Sequence, residues 1–540
     1  MSSEPGVARL LPERKRCGLC RKSLRVQKTR TRNVTTIDGE SRVTEVTLFC
    51  PRHRSEVYRP ERIAPSRSSF GYDLVTEVGR LRCIEHKQVW EMREELSLRG
   101  AMVPARTLHR LCDRFLLHVV AVHMESMNAV AGILRRRGGY VLQVDGTSTK
   151  GSPALALMKD GWSGIRLLAA SVVSEGEEFI SPHLATLKER LGSPVAAVRD
   201  NSEGIMAAIR KVFPGTYGIS CHYHFLRDVG LKLFDPVYPS FRNRVDRRGV
   251  KKRLRSLRRA LRRRRTVTDE SRLSLELVEH ILAYKEDGDG LAYPFSLPAA
   301  DLYRRCEDVS ARVRKAILDR AADNVFSPDL SKLEDVLRLL KPPPNVLGRL
   351  HAEFLGMEER WRWFQRVRRA LRYRNGPVPL STKRTLSERE LEKGRVMLDG
   401  VRSMMEQLGN GGGGRRERSL QKALRKVAMK ICEHRDELLA PNVSVVVDGE
   451  RKVRRLPRTN ATVEMDFRSL RRHGRRIRGN ADVEGQVQRD GPGMLIALNL
   501  LHQDYVRAVY GSLDRMAERF SHVSPATLSH AKRLMAVPDV

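Results

Sequence analysis

No run of 18 apolar residues occurs in the 540-residue sequence, so no segment is expected to span a bilayer. The N-terminal MSSEPGVARLLPERKR lacks the apolar stretch of a secretion signal. Cysteine is scarce, 8 in 540 residues, which excludes a disulfide framework and implies a reducing, intracellular setting. Acid is short relative to base: 64 Asp and Glu stand against 101 Lys and Arg, a formal net charge of +37. That excess repels itself in a compact fold unless a polyanion shares the surface. Nucleic acid is the partner implied, since neutralising phosphates releases counterions. The charge also comes in local blocks rather than evenly.

What the chain does contain is ordered by motif. Cys17 and Cys20 in CGLC, and Cys50 and His53 in FCPRH, form two pairs with the same spacing. Between them NVTTIDGESRVTEVTLF alternates around an Asp-Gly turn and reads as a β-hairpin. Two such knuckles joined by strands fit one tetrahedral, structural Zn²⁺. Cys83 and His86 in RCIEH are a competing second pair, set in a segment of helical period. Helical period runs from Tyr72 to Val120, with Gly100 stopping one helix and Pro104 starting the next. Leu108, Leu111, Cys112 and Phe115 share a face, while Arg106, His109 and Arg110 are spaced to meet phosphates or base edges. This is a helix-turn-helix or an ordinary helical hairpin.

The segment from Tyr140 reads β-β-β-α-β-α-β-α, a mixed sheet with helices packed on it. Asp145 and Asp200 each end a predicted strand, and adjacent strands would bring them to one sheet edge. Two carboxylates there repel unless a cation neutralises them, and oxygen ligands favour Mg²⁺. Two such ions, roughly 4 Å apart, can clamp a phosphodiester. Each Asp alone is also an ordinary strand-end turn residue.

Strand-Asp145-Gly, strand-Asp200 and then CHYH resemble the RNase H-like DDE transposases that carry a Cys-x-x-His signature, matched by Cys221 and His224. These include Mutator-like, hAT-like and bacterial insertion-sequence transposases. After a long helical insertion, TNATVEMDFRSLRR resembles the family's returning Thr-Asn…Glu segment, with Thr459, Asn460 and Glu464 aligned. By motif the resemblance covers residues 140–235 and 456–480. It implies a DNA transposase that cuts and joins element ends by two-metal phosphodiester hydrolysis and strand transfer. Asp145, Asp200 and Glu464 would hold two Mg²⁺ ions, with His224 and Asn460 in support and Cys221 structural. A second zinc at Cys221, His222 and His224 is an alternative use of that signature. The implied partners are terminal inverted repeats, target DNA and a second copy in a homodimer. The implied setting is cytoplasmic, nucleoid-associated and bacterial. Another RNase H-like nuclease, or an inactive transposase-derived DNA-binding regulator, are the alternatives.

Arg247–Arg265 carries 12 basic residues and no acid, with Val250, Leu254, Leu257 and Leu261 as its apolar stripe. Arg253, Arg258 and Arg262 on this helix are expected to contact DNA, or to form a solvated face. Trp361 and Trp363 among arginines would stack on an unpaired base or pack the insertion. Breaks are expected at 341–345 and 410–414, and a hairpin at Asp448-Gly449. Arg468, Arg471, Arg472 and Arg475, with Arg476 and Arg478, would lie along DNA beyond Glu464. Asp466 is read as a first-turn acid favourable to the helix dipole, and Glu484 as a weaker rival to Glu464. Met494–Met535 is read as amphipathic helix.

The expected fold is multidomain α+β: an N-terminal zinc ribbon-like module (1–60), a helix-turn-helix domain (61–135) and an RNase H-like mixed α/β catalytic core in two parts (136–235 and 441–490). A long all-α insertion (236–440) interrupts that core, and a C-terminal helical segment (491–540) follows it.

Overall fold

Alternation around Asp38 gives a long hairpin, and the strand-like run expected to end in Asp145 continues to Thr147 as the central strand of a second sheet. A computed structural model describes residues 6–65, 67–148, 152–200, 202–283, 293–322, 325–340, 349–373, 385–411, 414–478 and 484–538. The chain is mixed α+β and forms two compact units: 1–219 with 383–385 and 442–540, and 220–382 with 386–441.

In the first unit, β1 (Gly6–Leu10), β2 (Arg25–Thr36), β3 (Gly39–Phe49) and β4 (Val57–Tyr58) make a four-stranded sheet. β2 and β3 pair from Arg25↔Phe49 to Thr36↔Gly39, so the hairpin turns at Ile37-Asp38. Then come α1 (Tyr72–Gly79), a π-helical turn (Arg80–Ile84), α2 (Val89–Leu98), α3 (Ala105–Glu125) and α4 (Met127–Arg136). The second sheet contains β5 (Val141–Thr147), β6 (Ala154–Asp160), β7 (Arg166–Val172), β8 (Ala196–Arg199) and β9 (Tyr217–Ser220). Its order is β7-β6-β5-β8-β9. β5, β6 and β7 are an antiparallel meander, and β8 lies parallel to β5. α5 (Glu177–Leu191) and α6 (Glu203–Val212) connect the later strands.

Among the described residues, the second unit from His222 onward is helical: α7 (His222–Phe234), α8 (Tyr238–Arg247), α9 (Val250–Arg262), α10 (Asp269–Leu282), α11 (Pro298–Ala322), α12 (Pro328–Arg338), α13 (Arg349–Ala370), α14 (Glu388–Gly409) and α15 (Arg415–Leu438). It begins earlier than the expected boundary at 236, because Phe225, Leu226, Val229, Leu233 and Phe234 of α7 belong to its core. The break expected at 341–345 lies outside the described residues; α14 and α15 flank the one at 410–414, of which 412–413 also lie outside.

The chain returns to the first unit with β10 (Val443–Val447) and β11 (Glu450–Arg454), a hairpin whose Asp448 and Gly449 both have positive φ. α16 (Ala461–Arg478) and α17 (Glu484–Ala497) follow, and α17 packs on β6 and β7. The continuous helix expected over Met494–Met535 is instead broken. A 3₁₀ turn (Leu498–Leu501), α18 (Gln503–Val509), α19 (Met516–Ser521) and α20 (Pro525–Met535) replace it. His502 is extended, Gly511 has φ 79°, and Pro525 can only begin a helix.

The predicted helix-turn-helix segment is not a body apart. Leu108, Leu111, Cys112 and Phe115 of α3 share one hydrophobic core with Leu142 and Val144 of β5, Leu495 of α17 and Phe520 of α19. No single helix among the described residues is long and apolar enough to cross a membrane.

Candidate functional site: two clusters of ligand-type side chains

The first cluster forms on the N-terminal sheet. A turn at Cys17 (Arg21 N–H to Cys17 O, 2.9 Å) and another at His53 (Glu56 N–H to His53 O, 2.8 Å) shape the two knuckles. They bring Cys17, Cys20, Cys50 and His53 together, with all four ligand atoms within 4.8 Å of one another. Cys20 Sγ and Cys50 Sγ are 3.6 Å apart, and His53 Nδ1 is 3.6 Å from Cys17 Sγ and 3.8 Å from Cys50 Sγ. Tetrahedral zinc with bonds of about 2.3 Å to sulfur and 2.0 Å to nitrogen requires edges of roughly 3.5–3.8 Å. The cluster can hold a metal such as zinc. The Cys20 backbone N–H and the His53 ring hold the Cys17 thiol down to about 5, favouring the thiolate a metal binds. Tyr58 accepts from Gly18 N–H (2.9 Å) and donates to Cys17 Sγ (3.7 Å), fixing the first knuckle from outside. The competing pair does not join: Cys83 is buried in the main core, and His86 pairs through Nδ1 with His473.

The second cluster rests on the five-stranded sheet. Val144 pairs with Arg199 in parallel register, so Asp145 and Asp200 are the next residues on neighbouring strands. Asp145 is buried, and its Oδ1 accepts from Gly146 N–H (2.9 Å). Asp200 Oδ1 accepts from Ser202 N–H (3.1 Å) as α6 begins. Glu464 occupies the first turn of α16, with a carboxylate oxygen within 4.8 Å of one on Asp145. Asp145 and Glu464 are thus brought together, and Asp200 stands one strand away.

Sequence-distant hydrogen bonds put Glu464 there. Gln143 Nε2 donates to Thr459 O (2.8 Å), Asn460 Nδ2 to Val144 O (2.9 Å), and Thr462 Oγ1 to Gln143 Oε1 (2.9 Å). The Thr-Asn pair therefore docks the start of α16 onto β5 immediately before Asp145. One turn deeper, Asp466 receives Lys159 Nζ (2.7 Å), Arg166 Nε (3.0 Å) and Arg166 Nη2 (2.5 Å). This corrects the expectation of a helix-dipole acid: Asp466 is a buried ion-pair hub locking α16 to β6 and β7. Burial pushes its pKa up, but the Arg166 and Lys159 charges outweigh that and hold it below the usual carboxylate range. Its contribution is therefore present at neutral pH and is lost as pH falls through the lowered pKa. Asp466→Ala leaves two buried cations short of their partner and is expected to cost about 3–5 kcal/mol, measured by denaturant unfolding. A cost below about 1 kcal/mol would contradict the hub. Lys159 and Arg166 escaped the sequence analysis, although a cation in each of two apolar strands was the available signal.

The remaining sites divide by exposure. Arg106, His109 and Arg110 are exposed on the first turns of α3. On α16, Arg468, Arg472 and Arg475 are exposed, and their spacing puts them on the same helical face as Glu464. Arg471 instead donates to Thr147 Oγ1 (2.5 Å), and Arg476 lies 3.6 Å from Glu91. The side chains of Arg478 and Glu484 lie outside the described residues.

Within the helical unit, Val250, Leu254 and Leu261 are buried beneath the basic surface of α9. Arg253 is exposed, Arg258 is half-buried, and Arg262 is paired with Glu279 (Nε to Oε1, 2.8 Å). Trp363 is buried under Arg366, and Trp361 packs on Phe234 and Phe364. These rings build the insertion's core, which corrects the base-stacking expectation. Cys221 caps α7, and His224 in its first turn lies edge-on to Tyr223, with ring centroids 5.2 Å apart. The alternative zinc site at Cys221, His222 and His224 does not form, because His222 Nε2 bonds Leu438 O at 2.7 Å.

No family model matches this chain, and no curated protein matches it.

Proposed function

We propose that the chain is a DNA transposase with an RNase H-like core of the DDE type, cutting element ends and joining them to target DNA. The observation that carries this is the placement of Glu464. The chain leaves the sheet unit, builds a separate helical unit, and returns through Thr459-Asn460 to set a carboxylate beside Asp145. An antiparallel three-strand meander followed by a parallel strand, with Asp145 within β5 and Asp200 directly after the neighbouring β8, supports the same reading.

Asp145 and Glu464, with Asp200 on the next strand, form a donor set of hard, like-charged oxygens. Such a set fits Mg²⁺, and these three residues would hold two ions. The ions would supply charge neutralisation at the phosphate and activation of the attacking water or DNA 3′-hydroxyl. The protein's own part is positional. Gln143, Thr459 and Asn460 fix the acid-bearing helix, while Arg468, Arg472 and Arg475 extend from Glu464 as a cationic track for the phosphate backbone.

Two measurements test this. The DNA flanking the gene should carry terminal inverted repeats, and duplexes of those repeats should be nicked at the element ends in Mg²⁺ and joined to target DNA. Nicking without joining would identify a nuclease, and binding without nicking a regulator. Separately, replacing each of Arg468, Arg472 and Arg475 by Gln should flatten the slope of log affinity against log salt by about 1. An unchanged slope in all three would remove the track.

A further inference from the structure

Within the helical unit, α9 buries Val250, Leu254 and Leu261 on one face. Its opposite face presents Lys252, Arg255, Arg259 and Arg263, all exposed. At helical spacing these side chains form a line with a cation every 5–6 Å or so, roughly one per turn. None of them makes an ion pair among the described residues, whereas Arg262 and Arg264 beside them are spent on Glu279 and Asp329. No acid lies between Val250 and Arg265 to offset the line. Like charges held this close repel each other, and a polyanion relieves that repulsion.

The turn that ends α9 is pinned to the start of α12. Arg264 Nη2 donates to Asp329 Oδ1 (2.5 Å), and buried Glu270 accepts from the N–H groups of Asp329 (2.7 Å) and Leu330 (3.1 Å). Val267 lies between the pinned residues Arg264 and Glu270, and Val325 and Phe326 lie just ahead of Asp329. All three are left in solvent at this junction: Phe326 is 83% exposed, Val267 59% and Val325 45%. Trp361 and Trp363 are taken up by the core, so Phe326 is the one aromatic side chain that the helical unit leaves mainly exposed among the described residues. Apolar side chains gathered on a surface forgo the gain from burial and mark a place where something else covers them. Duplex DNA brings both complements at once, phosphates for the α9 cations and stacked bases for the apolar side chains.

We infer that the helical unit carries a duplex-DNA wedge: the α9 cations grip the phosphate backbone, and Phe326, flanked by Val325 and Val267, enters between base pairs and bends the duplex. An apolar side chain inserted at a base step partly unstacks it and kinks the helix axis. The hydrogen bonds of Glu270 and Arg264 to the start of α12 hold the wedge at a fixed place beside the cations. This surface requires binding and not cleavage, so it stands or falls apart from Asp145, Asp200 and Glu464.

The test uses the full-length chain and a short duplex of arbitrary sequence with a donor and an acceptor fluorophore at its ends, so that bending raises energy transfer. The parent chain should bind and bend it. Phe326→Ala should lose most of the bend and bind about 5-fold or more weakly, while Phe326→Trp keeps both. Arg255→Gln, Arg259→Gln and Arg263→Gln should each flatten the slope of log affinity against log salt by about 1. Every one of these side chains is exposed, so the variants should melt with the parent chain, and a lost bend then reports a lost contact rather than unfolding. Bending without cleavage of any duplex would keep the wedge and remove the proposed chemistry; cleavage without a bend that depends on Phe326 would do the reverse. Phe326→Ala binding and bending like the parent chain would overturn the wedge. So would Phe326→Asp abolishing only a concentration-dependent self-association, which would make this face a contact between copies.

Discussion

Asp145→Asn is expected to lower DNA end cleavage by on the order of 10³-fold while leaving end binding essentially unchanged. The asparagine oxygen can still accept from Gly146 N–H, so the local geometry of β5 survives. What disappears is one of two charges held within 4.8 Å of each other, and with it the cation site proposed there. Glu464→Gln should behave alike, because it changes the other carboxylate at the same spot. Asp466→Asn is the informative contrast. It lies only two residues from Glu464, yet its carboxylate is spent on Lys159 and Arg166. It should reduce stability without removing a proposed ligand, so any cleavage loss should track unfolding. Normal cutting by Asp145→Asn or Glu464→Gln would end the catalytic proposal.

Removing one ligand of the N-terminal cluster should have the largest structural effect. Cys17→Ser in the full chain is expected to lose one equivalent of zinc by metal analysis. It should also make residues 1–60 sensitive to limited proteolysis. The small apolar cluster here, Val34, Val43 and Ala64 with Leu10 and Ile63 against it, is little to hold a sheet of this length. Structural zinc in small modules supplies roughly 10–16 kcal/mol of apparent binding free energy, which becomes folding free energy. The five-stranded sheet has its own core and should keep its protease resistance after the loss. Full zinc content in Cys17→Ser would show that the metal is not held by these four residues.

Local features were legible in the sequence because their causes are local. Alternation around Asp38 and Asp448 predicts both hairpins; the second turns at Asp448-Gly449 as expected, and the first turns one residue early, at Ile37-Asp38. The cysteine and histidine spacing predicts two knuckles, and they converge. Alternatives that depend on distant partners were not legible. Asp466 has the spacing of a first-turn acid, and nothing near it in sequence shows that Lys159 and Arg166 will meet it. Trp361 and Trp363 sit among arginines, yet their surroundings are set by Phe234 and Phe364. The C-terminal segment is amphipathic throughout, but Gly511 and Pro525 divide it.

The sequence by itself determined the elements, the zinc-type knuckles, the excess of positive charge and two acids worth testing, Asp145 and Asp200. Each follows from periodicity, spacing or composition, which neighbouring residues set, whereas the third acid, Glu464, is implied by the family resemblance alone. Tertiary structure decided which acid stands beside Asp145 and which is an ion-pair anchor. Those outcomes depend on side chains meeting from segments hundreds of residues apart, through hydrogen bonds such as Asn460 to Val144 and ion pairs such as Arg166 to Asp466.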